Sequence, residues 1–135
     1  MKGPSIETKK GKVTLIEPGI IHFSLKENIE LSLEDAKETH MANLTLSGGK
    51  KFCVYMNVTR FFIPSKEAQK FITTKECTDY RIGAAFVVKN IGVKVFANLF
   101  VKFFKSRTPS RLFTSEEEAM KWMRKILNDA QTGVN

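Results

Sequence analysis

Residues 80–104 constrain the fold of this chain more than any other stretch. Ile82 to Val88 is an unbroken run of small and apolar residues, with Arg81 before it and Lys89 after it. It is short and β-branched towards its end, so it predicts a strand buried on both faces. Asn90 can cap a helix, and Ile91 to Phe104 reads as the most apolar helix in the chain. A doubly buried strand feeding a helix that packs back on its sheet is the working unit of a layered α/β fold.

That helix is more apolar than one sheet contact requires. Placed at about 100° per residue, Lys94, Asn98, Val101, Lys102 and Lys105 fall on one arc. Ile91, Val93, Val95, Phe96, Leu99, Phe100, Phe103 and Phe104 fill the rest. The apolar side then spans about 200°, whereas a helix on a sheet needs somewhat over about 100°. The surplus is chiefly Val93, Phe96, Phe100 and Phe104. Either a neighbouring helix or loop covers it, or it meets a second subunit, another protein or an apolar ligand.

The other elements are set by local signals. Lys12–Glu17 and Ile20–Leu25 alternate as strands around the Pro18-Gly19 turn and form an antiparallel hairpin. Ser32, with Glu34 and Asp35 after it, starts a helix. Leu33, Ala36, His40 and Leu44 share one of its faces, and Gly48-Gly49 ends it. Lys51–Asn57 is an interior strand, and Ser65 caps a helix with Ala68, Phe71 and Ile72 inward. Arg111–Phe113 is a short edge strand. Ser115 with Glu118 forms a capping box for a last helix whose apolar face is Ala119, Trp122, Met123 and Ile126. After the hairpin, strands and helices alternate. This implies an α/β fold with a mixed, mostly parallel sheet of about five strands and about four helices. The organisation expected is a loose N-terminus over 1–11, a single domain over 12–127 and a polar, loose tail over 128–135.

Function classes narrow by subtraction. No apolar run approaches the roughly 20 residues of a membrane helix. The N-terminus has no apolar signal region either, so the expectation is a cytoplasmic protein without an integral membrane segment. Cys53 and Cys77 are isolated from each other and from His22 and His40, which predicts free thiols, no metal site and no cofactor. His22 and His40 read as packing residues. No glycine-rich phosphate loop comes after a strand, because Gly48-Gly49-Lys50 precedes one. The formal charge of +8 is concentrated between Lys89 and Lys125, but its lysines are not interleaved with aromatic platforms, which argues against nucleic acid.

The stretches Tyr80–Val88 and Arg111–Met123 carry a family resemblance. An arginine enters an apolar strand in the first. The second runs from Phe113 through the acidic turn Glu116–Glu118 to Ala119 and Trp122. With the element order, this resembles the STAS domain of anti-sigma factor antagonists. It is most similar to the SpoIIAA-like branch, whose fold is shared with lipid-transfer domains of the Sec14 type. The resemblance covers roughly residues 12–127 and implies a non-enzymatic regulatory or protein-interaction domain. In antagonists of this fold a serine at the start of the second helix is phosphorylated. Ser65 is the residue in that place here, but the preceding acidic residue is Pro64 and the glycine is absent. Ser65 therefore reads first as a helix cap.

Two functional expectations remain. One is self-association or binding to another protein through Val93, Phe96, Phe100 and Phe104. The other is a small apolar or lipid ligand lined by that helix, with an anionic head at Lys102, Lys105, Arg107 or Arg111. An enzyme is not expected, because no catalytic constellation is recognisable.

Overall fold

The structure, a computed structural model, describes residues 3–26, 30–59, 64–104 and 108–132. The side chains of Phe96, Leu99, Phe100, Phe103 and Phe104 lie outside that description. Among the described residues, six strands form one sheet in sequential order: β1 (Ser5–Glu7), β2 (Gly11–Glu17), β3 (Ile20–Leu25), β4 (Phe52–Asn57), β5 (Arg81–Val87) and β6 (Ser110–Phe113). The first three are antiparallel, and β3 to β6 are parallel. The helices are α1 (Leu33–Ser47), α2 (Lys66–Ile72), α3 (Lys75–Thr78), α4 (Ile91–Phe104) and α5 (Glu116–Thr132). The expected class is present: a mixed, mostly parallel α/β sheet opening with an antiparallel hairpin.

The sequential order of the parallel strands decides the layering. Right-handed crossovers that all step the same way along a sheet put their helices on one face. Consistently, Ala42 of α1 and Val93, Ala97 and Val101 of α4 share a core with Phe23, Phe52, Met56, Ala84 and Phe86. The opposite face holds Ile20, Cys53, Tyr55, Ala85 and Val87, which pack against Ala119 and Met123 of α5. β5, which lies between β4 and the edge strand β6, is thus buried on both sides, as its apolar run predicts. Gly83 lets α5 come close, since a Cβ there would lie 2.9 Å from Cys53 Sγ and 3.0 Å from Ile126 Cδ1.

The helix-end signals act as expected. Ser32 and Asp35 form a reciprocal capping box, and Gly48 closes α1 at φ 65°. Asn90 Oδ1 accepts the Val93 N–H at 3.2 Å, and Ser115 Oγ accepts the Glu118 N–H at 3.2 Å.

Four details differ from expectation. Residues 5–7, in the stretch expected to be loose, form β1, because Ser5, Ile6 and Glu7 pair with Thr14, Val13 and Lys12. The segment expected to fray into β5 contains the short α3, started by Thr74. α5 continues past Asn128 to Thr132, with Thr132 Oγ1 donating to Asn128 O. Finally, α4 is rotated relative to its wheel. Val101, grouped with the lysines, is buried, whereas Ile91 and Val95 are exposed.

Candidate functional site

α1 and the α2–α3 segment do not close completely on the sheet. Between them lies a pocket of about 110 Å³. Its floor is made of Phe23, Phe52, Val54, Met56, Ala84 and Phe86, from β3, β4 and β5. Ala36 of α1 and Phe71, Ile72 and Cys77 of α2 and α3 form the walls. Period-2 alternation along β4 and β5 puts these floor residues on one side of the sheet. The alanines at 36 and 84 leave room that larger side chains would occupy. The volume approaches that of a roughly 150 Å³ apolar cavity able to admit benzene.

Among the described residues, four polar side chains interrupt this apolar lining: Thr39, His40, Asn43 and Arg81. The Thr39 hydroxyl is already engaged, donating to Asp35 O at 2.9 Å. His40 and Asn43 stand three residues apart on α1 and therefore on one face. They are only 6% and 8% exposed. His40 Nε2 and Asn43 Oδ1 are both buried without a hydrogen-bond partner among the described residues. Burial lowers the His40 pKa. Glu76 pulls it up in part, and Arg81 lowers it further. The ring is therefore neutral near pH 7, and the 3.9 Å approach of Glu76 Oε2 to Nε2 is a weak polar contact rather than a standing ion pair. Phe71 packs edge-on against the ring at 5.8 Å between centroids. Arg81 Nη2 donates to Ile72 O at 2.9 Å, which ties the start of β5 to the end of α2. Burial lowers the Arg81 pKa and raises that of the Cys77 thiol, so Cys77 stays protonated.

The residues singled out in the sequence lie elsewhere. Val93 is a core residue beside Ala97 and Val101 and offers no surface. Phe96, Phe100 and Phe104 are on α4, with side chains outside the described set. Lys102 is exposed on α4, and Lys105 and Arg107 fall outside the described residues. Arg111 is exposed on β6, with its guanidinium carbon 5.3 Å from the centre of the Phe113 ring. It lines a groove of about 560 Å³ with Lys94, Lys121, Lys125, Trp122 and Glu118. The fold thus brings Arg111 to three lysines not singled out, and Lys102 is not among the groove's lining residues. Ser65 caps α2, its Oγ accepting the Ala68 N–H at 3.0 Å.

Sequence reasoning treats His40 as a packing residue and misses Asn43. A usable signal is present: two polar residues three apart on the inward stripe of α1. The described residues contain no group of three or more His, Cys, Asp or Glu side chains able to hold a metal ion. None of their helices is long and apolar enough to cross a membrane.

Residues 14–127 match the family described as Domain of unknown function (DUF7793). The chain belongs to this family. Among solved structures, it is similar to the crystal structure of an uncharacterized protein from the DUF3478 family with a SpoIIAA-like fold from Shewanella loihica PV-4. That similarity has a TM-score of 0.51 at 10% identity and covers 91% of this chain and 95% of that one. The SpoIIAA-like architecture expected from Tyr80–Val88 and Arg111–Met123 is therefore this family member's fold. No functionally curated protein matches the chain.

Proposed function

We propose that this DUF7793 protein is a non-enzymatic binding domain whose site is the pocket between α1, α2–α3 and the sheet, and that its ligand is small and largely apolar. The observation that carries this reading is the pocket itself: about 110 Å³ with predominantly apolar walls, beside two buried polar atoms that lack hydrogen bonds among the described residues. Close-packed cores rarely keep such space, and buried polar atoms are rarely left unbonded. Each such atom costs roughly 1–3 kcal/mol, a penalty a suitable ligand can relieve. The test is titration with toluene, monitored by amide chemical shifts. Saturable shifts centred on α1, α2 and β5 are expected. Shifts that are absent, unsaturable or centred on another face would remove the reading.

A second reading keeps α4 as a contact surface for another copy of the chain. It is favoured by Ile91 and Val95, which are 82% and 65% exposed on an apolar helix. Sedimentation of the native protein and of the double variant Ile91→Ser, Val95→Ser tests it. A native dimer that becomes monomeric in the variant is expected. A native monomer at high concentration would exclude the association.

A further inference from the structure

Taking the pocket as a ligand site, we infer that its ligand carries a neutral hydroxyl beside its apolar body, as a phenol or short alcohol does, and that Asn43 and His40 receive that hydroxyl. The argument is one of donors and acceptors. An amide oxygen only accepts, so Asn43 Oδ1 needs an O–H or N–H from whatever enters. His40 Nε2 can accept or donate according to tautomer. It lies at the same wall and has no hydrogen-bond partner among the described residues. The head group must therefore bring at least one donor.

The charged surroundings select among donors. Among the described residues, the titratable groups facing this wall are Arg81 at the start of β5, Cys77 on α3 and Glu76 at 3.9 Å from His40. An ammonium would be desolvated beside the Arg81 guanidinium, a like charge, and the described carboxylate nearest His40, that of Glu76, is exposed and offers it little. A carboxylate would suit Arg81 but offers no proton to Asn43 Oδ1, leaving that acceptor unbonded. A hydroxyl satisfies Asn43 by donating, and its own oxygen can accept from an N–H of the pocket. The body size is set by the volume, which suits one ring or a chain of similar bulk.

Phenol and toluene separate this inference from the reading it rests on. They have nearly the same shape and differ by a hydroxyl against a methyl. A purely apolar pocket favours toluene. A pocket with a waiting acceptor favours phenol by roughly tenfold, the size of one net hydrogen bond. The expected result is tighter binding of phenol to the native protein, by titration calorimetry or amide shifts. In Asn43→Leu, toluene should still bind and the preference should reverse. That variant removes a buried unbonded oxygen, so folding is expected to survive. Asn43→Ala serves the same purpose should the leucine crowd the pocket. Toluene binding as tightly as phenol in the native protein would overturn the hydroxyl inference while leaving the pocket a binding site. Saturable binding of neither would overturn both.

Discussion

Filling the pocket from within is the sharpest perturbation of this structure. Ala36 is buried on the inner face of α1 and lines the pocket. In Ala36→Leu, three additional carbons would enter a space of about 110 Å³. Burying them is worth about 0.8 kcal/mol each, or at most ~2.4 kcal/mol. Ordering the leucine side chain costs about 0.5–1 kcal/mol, and its helix propensity differs little from that of alanine. The net is a stabilisation of about 1–2 kcal/mol, where an ordinary packed site would lose about 1–3 kcal/mol to overpacking. The sign therefore reports whether the space is there. Urea unfolding monitored by far-ultraviolet circular dichroism measures it, and toluene titration of the same variant should show binding lost. A variant destabilised by more than about 1 kcal/mol that still binds toluene would refute the reasoning, because the leucine would then have met packed atoms and the ligand would sit elsewhere.

Asp35 should make the protein acid-sensitive. Burial alone would raise its pKa, but hydrogen bonds from Ser32 and Lys10 prevail and hold it below the usual carboxylate range. A depressed folded pKa stabilises above the unfolded value of about 3.9, and that stability is lost as pH falls through the folded value. Urea midpoints should therefore drop below about pH 4 in the native protein and drop less in Asp35→Asn; parallel curves would count against it. Both cysteines are buried, and burial pushes Cys53 up to about 12 and also raises Cys77. Neither thiol should react with a disulfide reagent at pH 8 until urea unfolds the chain, and rapid labelling of the native protein would contradict this. Ser65→Ala should cost about 1 kcal/mol by removing the α2 cap, while Ser65→Asp should be nearly neutral, since aspartate caps equally well. Thermal melts that rank the two variants the other way would disprove the capping role.

Much of the architecture was legible because its signals are local. The Pro18-Gly19 turn, the Ser32 and Ser65 caps and the Gly48 stop each act within a few residues. They keep their meaning wherever the element lands. The short β1 was not legible, because a three-residue edge strand is held by its partner β2 rather than by any pattern of its own. The orientation of α4 was not legible either. A helical wheel ranks residues by hydrophobicity, whereas the sheet accepted the stripe Val93, Ala97 and Val101. Those side chains are small and spaced four apart, so the helix can seat on them and leave Ile91 and Val95 in solvent.

The candidate site divides in the same way. Sequence alone determined that one strand is apolar on both faces and lies inside the sheet, although next to the edge strand rather than at the centre, that helices alternate with strands, and that the basic excess belongs to the C-terminal third. It also placed His40 on the inner face of α1. Only the tertiary structure decided that α1, α2 and α4 share one face while α5 holds the other. It alone left space beside Ala36 and Ala84, and it alone brought His40 and Asn43 to the same wall as Arg81. Periodicity states which residues point inward from each element. A cavity is the mismatch between two inward surfaces, and it exists only once the sheet and the helices have been brought together.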